Sequence, residues 1–204
     1  MQQEAGKRFH FPSKFTMSLA QNLYERGLIT YHRSDSLNLS KQSLLQAKDF
    51  ILENYGENYW IGFPKSYKTK SKSAQEAHEA IRPTDPNKTP SLAAKELKTK
   101  SKKQERIKKA QLKLYGLIWK RFIASQRKPA VFDAVRADIK SEPESESFPS
   151  GIPHYTFKAT GKTLKFDGFL KVYSLKIKEK SLPQLEKGEK LNLKELIPSQ
   201  HFTQ

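Results

Sequence analysis

The hydrophobic period of this chain changes at Pro129, and that change divides what it can fold into. Before the proline, apolar residues recur every three or four positions; after it they alternate. Phe15, Leu19 and Leu23, with Ala20 and Tyr24 on the adjoining row, predict a helix that Ser13 can cap and Gly27 stops. Ser40 can cap a second helix, with Leu44, Ala47, Ile51 and Tyr55 inward and Gly56 at its end. A long amphipathic helix is predicted from about Lys102 to Gln126, its buried face formed by Ile107, Ala110, Leu114, Ile118 and Phe122. Beyond Pro129, Val131, Val135, Ala137 and Ile139 read as a strand, as do Tyr155, Phe157 and Ala159, and later Leu191, Leu193 and Ile197. Asp85-Pro86-Asn87 with Pro90 reads as a turn, and the Ser-, Glu- and Pro-rich stretch Ser141 to Pro153 as a hairpin loop or insertion. The expected fold class is α+β: a mainly helical domain over residues 1–128, then an antiparallel β region over 129–204.

Charge narrows the partner. The 204 residues carry 38 Lys plus Arg against 21 Asp plus Glu, a net charge of +17 and a pI near 9.9. A surface of that sign suits a polyanion, nucleic acid above all. Lys95 to Lys113 holds nine basic residues against two Glu, and Pro64 to Lys72 holds four lysines and a tyrosine. Lysine runs of this kind raise affinity and salt sensitivity, and they do not read base sequence. The chain has no cysteine, which excludes a disulfide framework and a thiolate metal site and is compatible with a reducing cytoplasm. No apolar run approaches the roughly 18 residues a membrane span needs, and no signal-peptide pattern is present, so no membrane partner is expected.

The chemistry concentrates in two short blocks. In Gly27-Leu28-Ile29-Thr30-Tyr31-His32-Arg33-Ser34-Asp35-Ser36, a tyrosine stands two residues from an arginine on a segment that reads as extended. Residues two apart in extended backbone share a side, so Tyr31 and Arg33 can face one phosphate while His32 points away. A phenol is a weak nucleophile until a base or a positive field draws off its proton, and a guanidinium supplies such a field while gripping two phosphate oxygens. The ordinary alternative is a strand tyrosine with its ring in the core and its hydroxyl at the rim. In the second block, Gln75-Glu76-Ala77-His78-Glu79-Ala80-Ile81-Arg82-Pro83-Thr84-Asp85, good helix formers precede a proline, and the four-residue spacing would stack His78 and Arg82 on one helical face. There a histidine could hydrogen-bond a phosphate or share a proton, with Arg82 adding fixed charge. Glu76 and Glu79 could instead pair with nearby lysines.

Both blocks resemble the signatures of the catalytic domain of type IA DNA topoisomerases, in the same order and at about the same separation. Lys165-Phe166-Asp167-Gly168-Phe169-Leu170-Lys171-Val172-Tyr173 resembles the arch that links that domain to the rest of the enzyme. The Glu-Ala-His-Glu-Ala-Ile-Arg-Pro form is most like the bacterial topoisomerase I branch, with the tyrosine domain of a reverse gyrase as an alternative. His32 and Ser34 depart from the larger apolar residue and the threonine common in bacterial relatives. The resemblance implies a winged-helix-like tyrosine domain followed by a β arch. It also implies transient cleavage of one DNA strand through a 5′-phosphotyrosine link, strand passage and religation, relaxing negatively supercoiled DNA. Tyr31, Arg33 and His78 would then be catalytic. Arg33, Ser34, Asp35, Ser36, His78, Arg82 and Thr84 would meet single-stranded or negatively supercoiled DNA. Whether His78 is a general acid or a DNA contact stays open. The family's Mg²⁺ is held by clustered acidic residues, and no Asp-x-Asp pair with a supporting Glu occurs here, so the metal is expected in a domain outside this sequence, as a missing part of the same chain. On this reading the sequence is a fragment, inactive alone, of a cytoplasmic, nucleoid-associated enzyme. A non-catalytic winged-helix-like DNA-binding module is the competing reading; it would need the charges but no phenol at position 31.

Overall fold

A computed structural model describes residues 1–67, 78–97, 102–141, 155–200 and 202. Five α-helices precede two strands: α1 Gln2–Phe9, α2 Ser13–Glu25, α3 Lys41–Tyr55, α4 Pro90–Glu96, α5 Lys102–Ser125, β1 Val131–Lys140 and β2 Thr156–Phe166, with 3₁₀ turns at Glu57–Tyr59 and Gly168–Lys171. The strands form one antiparallel pair, so the coarse order of helices followed by antiparallel strands is as the period change implied.

The helical unit comprises Met1–Val131 together with Phe166–Lys176. Its axis is α5, against which α1, α2, α4 and the second 3₁₀ turn pack. Ala110, Leu114, Ile118 and Phe122 are buried as the period requires, and so are Tyr115, Leu117, Trp119 and Ile123, because neighbours cover more than one face. Ile107 lies at the exposed end of that stripe. Two side chains of α5 anchor the turn before α4: the Trp119 indole N–H donates to the Pro86 carbonyl at 2.8 Å, and the Tyr115 hydroxyl donates to the Lys88 carbonyl. Burial pushes the Tyr115 phenol well above the usual range, helped by Asp85 and Glu96.

Three local expectations change. Pro12, not Ser13, occupies the N-cap of α2, with extended backbone and no side-chain cap; Ser13 is already helical. Pro90 starts α4 instead of ending a turn, because proline suits the first helical position and the Thr89 side chain accepts the Leu92 N–H. Phe15 and Tyr24, assigned to the inward rows of α2, are more than a third exposed. The Ser40 cap holds, its hydroxyl accepting from the Ser43 N–H, and α3 ends at Gly56. At the end of α2, Gly27 adopts φ 66° and the Leu28 N–H returns to the Leu23 carbonyl at 2.9 Å. That left-handed stop turns the chain so that Leu28 and Ile29 enter the core and Tyr31 emerges from it.

The second unit comprises Phe132–Lys165 and Ile177–Gln204. Its hairpin is joined at the end where β1 finishes and β2 begins by the Ser141 N–H to the Tyr155 carbonyl and the Tyr155 N–H to the Ser141 hydroxyl, both at 2.9 Å. The insertion expected beyond Ser141 lies outside the described residues. The strand expected at Leu191, Leu193 and Ile197 is irregular and exposed, since no neighbouring edge offers it a ladder of hydrogen bonds among the described residues. Lys162 and Lys180 instead form an isolated antiparallel bridge.

Candidate active site

Tyr31 stands between bends at Thr30 and at His32–Arg33 in the segment that follows α2, which is not the continuous extended run expected, and 41% of its surface is exposed. Its ring meets three others: Tyr24 at 5.4 Å between centroids, His32 at 5.4 Å and His78 at 6.0 Å, all edge-on. The two blocks, separated by a loop and helix α3, therefore converge in space. His32 is 3% exposed while Tyr31 and Arg33 are open, the alternation expected of the segment. The Nδ1 of His32 is buried without a hydrogen-bond partner among the described residues. Burial lowers its pKa, the nearby Arg33 charge lowers it further, and Glu25 opposes both, which favours the neutral ring.

Arg33, His32, Ser34, Asp35 and His78 line an open cavity of about 640 Å³, closed on the other side by Met1, Gln2, Gln3 and Met17 of the first two helices. Tyr31 is not part of that lining; it adjoins the cavity through its contacts with His32 and His78. Arg33 forms none of the ion pairs found among the described residues, leaving a guanidinium at the wall of a polar cleft. A cleft with an exposed phenol at its edge, a cation and an imidazole on its wall can receive a phosphodiester and oppose charge that develops on it.

The remaining sequence candidates are placed differently. The helix expected to stack His78 on Arg82 is absent over residues 78–82, which run irregularly into an antiparallel bridge between Pro83 and Ile29; the earlier part of that expected helix lies outside the described residues. Pairing with a segment some fifty residues away has overridden helix propensity. Arg82 turns from the cleft: Nε and Nη2 donate to the two carboxylate oxygens of Glu79 at 2.8 and 2.9 Å, and Nη1 to the carbonyls of Pro83 and Thr84. Burial would raise the Glu79 pKa, but the Arg82 and Ser40 donors outweigh it and hold the carboxyl below its ordinary range. Ser36 is buried, its hydroxyl accepting from the Asn38 N–H, and the Thr84 hydroxyl donates to the Gly27 carbonyl at 2.7 Å. Ser34 donates to the Glu79 carbonyl at 2.8 Å, and Asp35 is exposed. Thr30 escaped the sequence reading altogether. Its hydroxyl donates to the Ala80 carbonyl at 2.8 Å and accepts the Arg82 N–H at 3.0 Å, a partnership that no local spacing signals.

Among the described residues no three His, Cys, Asp or Glu side chains converge as a metal site, so the described residues do not fit a Mg²⁺ ion. No helix among them is long and apolar enough to cross a membrane.

A fold of this kind, with a phenol, a guanidinium and an imidazole gathered at one polar cleft, is matched over residues 1–204 by a family described as DNA topoisomerase, and the chain belongs to that family. DNA topoisomerase 1 of Rickettsia felis is 41% identical over 218 residues, covering all of this chain and 26% of the relative. The Campylobacter jejuni protein of the same name is 40% identical over 212 residues, covering all of this chain and 27% of the relative. Full-length topoisomerase I from Thermotoga maritima superposes with a TM-score of 0.68 at 34% identity, over 92% of this chain and 28% of that one. The resemblance to the bacterial topoisomerase I branch is thus confirmed. The chain spans about a quarter of the length of the curated relatives it matches.

Proposed function

We propose that this chain is the tyrosine-bearing part of a type IA enzyme that changes DNA topology by opening and resealing one strand. Tyr31 attacks a backbone phosphorus, the bond from phosphorus to the 3′ oxygen breaks, and that oxygen leaves with the electron pair and takes up a proton. The protein then holds the 5′ phosphate as a tyrosine ester. Reversal by the freed 3′ hydroxyl reseals the strand, because a phenolate is itself a good leaving group. Arg33 opposes the charge that builds on the phosphoryl oxygens, and His78 contacts the phosphate or passes a proton at its edge. Ser34 and Asp35 meet the DNA from the cleft wall, while the Ser36 and Thr84 hydroxyls, engaged by the Asn38 N–H and the Gly27 carbonyl, hold the backbone around the tyrosine segment. The observation that carries this reading is the convergence of Tyr31 with His78 at the edge of a cleft whose wall holds Arg33, a guanidinium without an ion pair among the described residues.

The finer features follow the family. Residues 1–128 form a winged-helix-like tyrosine domain and 129–204 carry part of the arch, apart from Phe166–Lys176, which returns to the helical unit; the whole enzyme relaxes negatively supercoiled DNA in the cytoplasm, associated with the nucleoid. Mg²⁺ belongs to other domains of the whole enzyme, and the 204-residue chain alone does not relax DNA. In the full-length protein Tyr31→Phe is expected to abolish the covalent DNA adduct while leaving binding of a single-stranded oligonucleotide within about twofold, since only the attacking hydroxyl is removed. Loss of binding in step with loss of adduct would show Tyr31 to be a DNA contact and not the nucleophile.

A further inference from the structure

The segment Glu79–Thr84 does more than deliver His78 to the cleft. It grips the Tyr31 segment on both sides. Upstream of the tyrosine, the Thr30 N–H donates to the Arg82 carbonyl at 2.9 Å, the Thr30 hydroxyl donates to the Ala80 carbonyl, and the Arg82 N–H returns to that hydroxyl. Downstream, the Ser34 hydroxyl donates to the Glu79 carbonyl and the Ala80 N–H to the Asn38 carbonyl at 2.8 Å. The same glutamate binds the start of α3, its Oε1 accepting from the Ser40 N–H at 2.8 Å. Tyr31, His32 and Arg33 are thereby suspended between two pinned residues, Thr30 and Ser34, and His78 immediately precedes the pin.

Arg82 locks this arrangement. Its three guanidinium nitrogens are all engaged, two on the Glu79 carboxylate and the third on the Pro83 and Thr84 carbonyls, and its side chain is only 12% exposed. A guanidinium so committed cannot offer a two-toothed grip to a phosphate without dismantling the clip. We propose that Thr30, Glu79 and Arg82 are positioning residues: they hold the Tyr31 phenol and the Arg33 guanidinium at a fixed distance from His78, and Arg82 serves the reaction through this clip and not by contact with DNA. This rests on the reading of Tyr31 as the nucleophile. Preorganisation of this kind raises the rate of the chemical step at saturating DNA and leaves binding untouched.

The test uses the full-length enzyme with its metal, and follows adduct formation at saturating single-stranded oligonucleotide, the binding constant at several salt concentrations, and thermal unfolding. Thr30→Val is nearly isosteric and removes only the hydroxyl, so it keeps the test open should Arg82→Ala fail to fold. Thr30→Val and Arg82→Ala are each expected to slow cleavage by about tenfold or more, with affinity and its salt slope unchanged. Thr30→Ser should restore the rate to within about twofold, whereas Arg82→Lys should not, since an ammonium cannot span both carboxylate oxygens. A lower salt slope by about one and weaker binding in Arg82→Ala, with cleavage at saturation retained, would make Arg82 a phosphate contact and overturn the inference. Cleavage at the parent rate by Thr30→Val would overturn it too. Tyr31→Phe run in parallel separates the two levels: an adduct from that variant would sink the nucleophile reading itself.

Discussion

At His32, burial and charge act in the same direction, and stability should depend on it. The ring is 3% exposed, has no partner at Nδ1 among the described residues and lies close to the Arg33 charge, so its pKa is below the ordinary imidazole value. Between the folded and ordinary values the unfolded chain binds a proton that the folded chain does not. Stability is therefore lost as pH falls through about 6.5 toward the lower folded value. His32→Leu, apolar and close in size, should lose less denaturant resistance than the parent between about pH 7.5 and pH 5.5; equal losses would mean that the imidazole is not neutral in the fold. The inward turn of His32 was readable from the two-residue side-chain period. The destination of Arg82 was not. Its spacing from His78 fits a helical face, but Glu79 lies within reach of the same guanidinium, and the hydrogen bonds that settle the matter come from Thr30, which sequence spacing cannot connect to residues 80 and 82.

Among the elements, α3 and α5 were legible because each carries its own stripe and its own stop, and the apolar face of each is the face that packs. The two strands were legible as alternation, yet not the way they are used: Val135, Tyr155 and Phe157 remain about half exposed, since a single pair of strands has no second layer of its own to cover that face. The path after β2 was hidden for a related reason. Val172 and Tyr173 are buried in the helical unit, where the Tyr173 hydroxyl donates to Glu4 and the Tyr59 hydroxyl to Asp167, and no local period announces such a return. Gly168 makes that return possible. It sits at φ 45°, and a Cβ there would lie 2.4 Å from the Pro129 carbonyl oxygen and 2.6 Å from that of Lys128. Gly168→Ala should destabilise the fold by about 2–4 kcal/mol through backbone strain and overpacking. Gly27→Ala, with open space around its Cβ but a similar φ, should cost only about 1 kcal/mol. Urea unfolding of both variants checks the contrast; equal losses would show that close approach at Gly168 is relieved by adjustment of the chain.

For the molecule as a whole, the net charge of +17 sets the terms on which, under the proposed function, it would meet DNA. The chain should bind single-stranded oligonucleotides weakly, with affinity falling steeply as salt rises and little preference among sequences, because lysines meet phosphates and release counterions. Titrations of several oligonucleotides over a range of salt concentrations test this, and a salt-independent affinity would place the contact surface elsewhere. The proposed nucleophile is one phenolic oxygen, and the fold supplies its own rival: Tyr24 is as exposed as Tyr31 and its ring is 5.4 Å away. Trypsin separates the two, since cleavage after Lys14, Arg26 and Arg33 leaves Tyr24 on Phe15–Arg26 and Tyr31 on Gly27–Arg33. The most direct measurement is therefore to trap the covalent complex of the full-length enzyme, digest DNA and protein, and locate the residual nucleotide by mass spectrometry. The nucleotide should be found on Gly27–Arg33, attached at Tyr31. Its attachment to Phe15–Arg26, or to any peptide without Tyr31, would mean that another residue is the nucleophile.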